Sequence, residues 1–263
     1  MNALRQILAF QTRDALRSRW LLLNGLLYLV LCEGLILAGS MPDRVLVSLI
    51  NVVLLLVPLV SLVFGTIHFY NVREFTLLLL TQPIRRRSLF MGLYLGLAVP
   101  LAASFALGVG LPFLWHGYAA TVDAIGLATV IGLGIVLTFV FVALAHLVAT
   151  LSRHRLQGVG TALLLWLATA IAYDGLVLLL VEMFARFPLE RPLIAMMMLN
   201  PVDLARVLLL MTFDAGALMG YTGAVFTRFF SSAGGLALVS FALALWTTLP
   251  LLAAGRAFDR TDF

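Results

Sequence analysis

Leu46-Val-Ser-Leu-Ile-Asn-Val-Val-Leu-Leu-Leu-Val-Pro-Leu-Val-Ser-Leu-Val-Phe-Gly-Thr-Ile-His-Phe-Tyr70 runs its whole length without an aspartate, glutamate, lysine or arginine. About 20 consecutive apolar residues cross the hydrocarbon core of a bilayer, so this stretch decides the fold class. Five further runs of the same kind flank it: Trp20–Gly39, Leu89–Leu114, Ala124–Leu151, Val159–Val181 and Gly234–Gly255. The pattern predicts an all-α integral membrane protein of about six transmembrane helices, forming one transmembrane domain over 1–263 with no soluble domain. Composition agrees, with 63% hydrophobic residues, 11% charged and a mean hydropathy of +1.10. An ordinary globular domain has roughly 45–50% apolar and about 25% charged residues. The first run is too long for the apolar core of a signal peptide and reads as a retained helix.

The net charge is +5 and the chain holds no lysine, so all 17 cations are arginines. They fall between the apolar runs rather than along one stripe, which speaks for membrane edges and against a nucleic-acid surface. If the N-terminus is cytoplasmic, the inner side receives Arg5, Arg13, Arg17, Arg19, Arg73, Arg85, Arg86, Arg87, Arg153, Arg155, Arg256 and Arg260. The outer side then receives Arg44, Arg186, Arg191, Arg206 and Arg228, four of them in one long segment. The positive-inside rule therefore predicts both termini in the cytoplasm. Cys32 is the single cysteine, so no intramolecular disulfide forms.

Three segments outside the spans carry information. In 1–19, Leu4, Ile7, Leu8, Ala15 and Leu16 alternate with arginines at helical spacing, which predicts an interfacial amphipathic helix; a plain basic flank is the alternative. In 71–88, Leu77 to Leu80 form a run too short to span, closed by Pro83 and followed by Arg85, Arg86 and Arg87. That pattern predicts a short helix against the inner membrane face. The outer segment 182–233 contains two short apolar runs, Leu193–Leu199 and Val207–Phe213, with Asn200-Pro-Val-Asp203 as turn and N-cap between them. Short non-spanning helices are expected there, with one extra pair of spans as the alternative.

With these features in hand, the chain resembles the ABC-2 type transporter permeases. The likeness lies in Arg13-Asp14 and Arg17-Ser-Arg19-Trp20, in Glu74…Leu78-Leu-Leu-Thr-Gln-Pro-Ile-Arg-Arg-Arg87…Gly92, in Asn200-Pro-Val-Asp203…Arg206 and in the Asp259-Arg-x-Asp-Phe tail. Within that class it is most similar to the group linked to multi-copper enzyme (nitrous oxide reductase) maturation. Phe75 and Thr76 occupy a region where such chains often carry glycine, and Leu93 stands where a lysine commonly follows Gly92; the resemblance thus carries class rather than substrate. It implies a permease subunit of an ATP-driven exporter in the bacterial cytoplasmic (inner) membrane. The working unit would be a homodimer with two copies of a separate ABC ATPase, contacting lipid and an accessory protein on the outer side. Arg73, Glu74, Thr81, Gln82, Pro83, Arg85, Arg86 and Arg87 would form the coupling segment, and the 1–19 helix the interfacial elbow. Nothing in this chain would hold a cofactor, because a P-loop needs a lysine that the sequence lacks; ATP and magnesium would sit in the partner.

Ionisable residues inside spans are the usual functional suspects. Glu33 and Asp174 lie about 20 Å from the inner ends of spans one and five at the rise of an α-helix. If they face one another they could share a proton or hold a cation in a transport pathway. The alternative is that each is neutral or hydrogen-bonded within the bundle. His68 and His146 could pair or bind metal, but at span edges they read better as ordinary interfacial residues. Met196, Met197, Met198, Met211 and Met219 read as packing rather than as Cu(I) ligands, and no metal site is assigned. Gly92-x-x-x-Gly96 and Gly216-x-x-x-Gly220 would permit close helix approach. Two other function classes remain at this level. A secondary transporter would more often show duplicated halves, and Pro58, Pro100, Pro112 and Pro250 mark no repeat. An intramembrane enzyme would have only Glu33 and Asp174 to work with.

Overall fold

The computed structural model describes residues 19–38, 42–81, 85–117, 124–184, 190–212 and 233–260. The predicted 1–19 elbow helix lies outside them save for Arg19, as do Gln82, Pro83, the Gly216–Gly220 pair, Met219 and the end of the tail after Arg260. Every regular element among the described residues is helical: α1 (Arg19–Leu37), α2 (Pro42–Asn71), α3 (Arg73–Leu80), α4 (Arg86–Trp115) and α5 (Ala124–Leu151). There follow α6 (Arg155–Leu167), a π-helical turn (Ala168–Ala172), α7 (Tyr173–Met183), α8 (Glu190–Met198), α9 (Pro201–Thr212) and α10 (Ala233–Arg260). In hydrocarbon no water is available to pair backbone groups, so a spanning segment must satisfy them within itself, which a helix does.

Among the described residues six helices are long and apolar enough to cross a membrane: Trp20–Leu37, Arg44–Asn71, Arg86–Trp115, Ala124–Leu151, Arg155–Met183 and Gly234–Asp259. These are the six runs read from the sequence, several of them extended by a turn or more because the helix continues past the apolar edge. The fifth is continuous in direction but broken in hydrogen-bond pattern by the π turn, which the apolar pattern did not announce. α8 and α9 bend by 111° at Asn200, so neither crosses alone. Asn200 caps α9 through its Oδ1, which accepts the Val202 N–H at 3.1 Å, with Pro201 as first helical residue.

α5 is the hub. It packs against α2, α4, α10 and α9, while α1 lies along α4 and α6 along α2. The main core joins Tyr28 and Cys32 of α1, Leu46 to Val57 of α2, Phe105 and Phe113 of α4, Leu137 and Phe141 of α5, Leu204 and Val207 of α9, and Val239 and Leu243 of α10. A second cluster at the α3 end gathers Phe69, Leu89, Phe90, Leu93, Ala149, Ala254 and Phe258, with Leu79 of α3 packed on it. Since lipid tails are as apolar as leucine, close packing rather than water exclusion holds such helices together. Gly65 and Gly108 show this. A Cβ on Gly65 would lie 2.6 Å from Ala145 Cβ, and one on Gly108 would lie 2.6 Å from the Gly25 carbonyl oxygen. Gly92 and Gly96, the pair flagged by spacing, are buried in α4.

Candidate functional site

Chemistry-bearing side chains gather at the two ends of the bundle. At one end α3 bridges α2 and α4. It begins with Arg73 and Glu74, both exposed, and a carboxylate in the first turn suits the positive end of the helix dipole. Thr76 is buried and its hydroxyl donates to the Val72 carbonyl at 2.8 Å, while Leu77 and Leu78 face outward. Thr81 closes the helix by donating to the Leu78 carbonyl at 2.7 Å. Arg85 then caps α4 in extended conformation, its carbonyl accepting the Ser88 N–H at 2.9 Å. Arg85, Arg86 and Arg87 are all exposed. Arg86 Nη1 donates to the Asp259 carbonyl at 3.1 Å and Arg87 Nε lies 3.7 Å from Asp259 Oδ2. Six of the eight residues read as the coupling segment are thus exposed, and Gln82 and Pro83 fall outside the described residues. Asp259 is a partner that the reading of that segment missed.

The neighbouring connection between α5 and α6 is pinned by Tyr70, whose hydroxyl donates to the Ser152 carbonyl at 3.1 Å. A Cβ on Gly158 would meet that hydroxyl at 2.6 Å, so a side chain there would push the two apart. His146 is fully buried among Phe69, Phe90 and Tyr94, each ring edge-on to it, and its Nδ1 donates to the Val142 carbonyl at 2.8 Å. It is a core residue. Among the described residues no group of three or more histidine, cysteine, aspartate or glutamate side chains is placed to hold a metal ion.

At the opposite end the two span carboxylates have separate partners rather than one another. Glu33 Oε1 is 2.8 Å from His116 Nε2, at the end of α4 just before Gly117 turns with φ of 70°. Asp174, in the first turn of α7, accepts from Arg206 Nη1 of α9 at 2.6 Å, and the same nitrogen donates to Asp203 Oδ1 at 3.2 Å. The shared-proton pair of Glu33 with Asp174 is therefore not assembled; Asp174 has Asp203 as its acidic neighbour instead. One guanidinium serves two carboxylates, and Asp203 is the more buried, with 7% of its side chain exposed against 34% for Asp174. Burial raises the Asp203 carboxyl to about 7, against the pull of Arg206 and with the Asp174 carboxylate adding to the rise. Burial wins because the single cation is divided.

Two more polar bonds tie the broken span to the α8–α9 turn. The Thr169 carbonyl, within the π turn, accepts Asn200 Nδ2 at 2.8 Å, and Tyr173 OH donates to the Met196 carbonyl. π turns leave backbone groups open to side chains and recur at functional positions. On the other flank Trp246 Nε1 of α10 donates to the Met198 carbonyl at 3.0 Å. Met197 and Met198 pack on the core, so these methionines serve through backbone oxygens and apolar contact. The sequence signal for Arg206 was a guanidinium inside an apolar short helix, a charge that required a partner it could not name.

No family model matches the sequence. Two curated proteins do, both described as probable ABC transporter permease protein NosY. The one from Pseudomonas aeruginosa is 32% identical over 266 residues, covering 94% of this chain and 94% of its own length. The one from Stutzerimonas stutzeri is 27% identical over 241 residues, covering 84% of this chain and 86% of its own. Identity of 32% over 94% of a chain whose described residues hold six candidate spans makes it a multi-pass membrane protein, and the chain accordingly belongs to the ABC-2 type transporter permeases of the NosY group.

Proposed function

We propose that this chain is the permease half of an ATP-driven exporter in the bacterial cytoplasmic membrane, with both termini in the cytoplasm and a separate ABC ATPase docked on the α3 end. The observation that carries this reading is α3. It is an eight-residue helix held between two spans, with exposed Arg73 and Glu74 at its start and Arg85–Arg87 just beyond it. A rigid short helix so mounted transmits displacement from a soluble partner to two spans at once. Arg73, Glu74, Thr81, Gln82, Pro83, Arg85, Arg86 and Arg87 form the docking segment in this reading. ATP and magnesium belong to the partner, since a chain without lysine has no P-loop. In this reading two permeases and two ATPases make the working unit, and the resemblance to the multi-copper enzyme maturation group suggests a cargo linked to that process and an accessory protein on the outer side.

Co-expression with an ABC ATPase from the same genome tests the reading. The ATPase should co-purify with the tagged permease and hydrolyse ATP faster in its presence. Glu74→Arg combined with Pro83→Ala should abolish that stimulation while the permease still inserts. Full stimulation in the double variant would remove the docking role from this segment.

A further inference from the structure

The C-terminal half of the last span joins the α3 end to the α8–α9 bend, and it does so through specific side chains. At the α3 end Phe258 is fully buried, packed on Phe69 and Phe90 at ring-centroid distances of 6.4 and 5.5 Å. Leu79 of α3 rests on the same cluster. The next residue, Asp259, meets both neighbouring arginines: its carbonyl accepts Arg86 Nη1 and its carboxylate lies 3.7 Å from Arg87 Nε. A cation at a helix C-terminus answers the free carbonyls and the negative end of the dipole. An exposed ion pair of this kind adds little stability; its consequence is positional. Thirteen residues before Asp259, Trp246 donates to the Met198 carbonyl at the α8–α9 bend. Between the two anchors stands Pro250, which has no N–H to offer the Trp246 carbonyl, so the helix is weakest where its two halves meet.

We propose that Phe258 and Asp259 are positioning residues of the docking segment, and that α10 carries displacement from Arg86 and Arg87 through its proline joint to the α8–α9 turn. The proposal rests on the docking reading above and adds a third span to the two that α3 touches directly. α10 is suited to this because its C-terminal half is held by named contacts on either side of Pro250, at Trp246 and at Phe258 with Asp259.

The test uses the complex with its ATPase in liposomes, in a Cys32→Ser background carrying Leu199→Cys at the exposed α8–α9 turn, with a spin label there. ATP should alter the label's mobility in the otherwise unaltered chain. Asp259→Asn and Trp246→Phe should each cut that response by about threefold or more, with the ATPase still bound. Asp259→Glu, which keeps the carboxylate, should retain much of it, which simple structural damage would not allow. An undiminished response in both single variants, with the complex intact, overturns the proposal alone. A chain that holds no ATPase before any of these changes overturns the docking reading and the proposal together.

Discussion

Arg206 is the residue on which most of the charge in the α7–α9 cluster depends. It stands between Asp174 and Asp203, and Asp203 is nearly sealed from solvent. Removing one partner of a buried pair is costly because the other charge stays behind; partial exposure of Arg206 and Asp174 reduces the effect here to about 2 kcal/mol. Arg206→Leu should therefore lower the thermal midpoint in detergent. Asp203→Asn removes the surplus negative charge, keeps a hydrogen-bonding side chain and should leave the midpoint unchanged or raise it. The pH dependence has a definite sign. A carboxyl held near 7 in the folded protein, against an ordinary 3.8, is favoured when protonated. Its unfavourable contribution is present above pH 7 and is relieved as pH falls below 7, so the midpoint should rise between pH 8 and pH 6. Asp203→Asn should flatten that slope, and an equal slope in the variant would assign the pH dependence elsewhere.

Between the large core side chains, two helix seams close through glycine. Along the α1–α4 seam the chain places Gly108 against the Gly25 carbonyl, with Asn24 donating to Ser104 nearby. The Gly108→Ala methyl has nowhere to go but into backbone, and overpacking of this sort costs about 1–3 kcal/mol. At Gly25 the added Cβ meets the Ser104 carbonyl at 3.4 Å, a contact that a few tenths of an ångström relieves. Gly108→Ala should thus lower the folded yield and thermal midpoint in detergent clearly, and Gly25→Ala only slightly. Equal effects would mean that the seam yields as readily from either side. The π turn is the other decision made at this scale, since widening one turn opens the Thr169 carbonyl to Asn200 and fixes where α9 docks on the broken span.

Across the molecule burial divides the spans into two sets. Over an 18-residue apolar stretch of each, Arg44–Asn71, Arg86–Trp115 and Ala124–Leu151 are 56, 56 and 50% buried, whereas Arg155–Met183 is only 6% buried. That last span also presents Gly160 and Gly175 with nothing within 4 Å of a Cβ on either. Glycines on an open helix face allow a second helix to approach closely. In the proposed homodimer this span is the natural contact. In a Cys32→Ser background, oxidative cross-linking of Leu164→Cys or Leu178→Cys in membranes should give dimers, while Leu249→Cys on α10 should give far fewer. Equal cross-linking at all three positions would point to random collision.

The apolar runs, their number and the short helix after the second span were legible in the sequence, because spanning length and hydropathy are properties of consecutive residues. So was the Asn200 cap with Pro201 behind it, a rule that acts within four residues. The partners of the charges were not legible. Glu33 and Asp174 stand at similar depth along their own helices, but depth says nothing of azimuth, and only packing turned one towards His116 and the other towards Arg206. For the same reason Asp259 could not be joined to Arg86 and Arg87 from the sequence, since those contacts span 173 residues in one case and a similar distance in the other. By itself the sequence determined that the chain enters the membrane and roughly where, because lipid selects on local composition. Tertiary structure alone decided which polar groups meet, because in a bundle of apolar helices each buried charge takes whichever partner the helix rotations bring within reach.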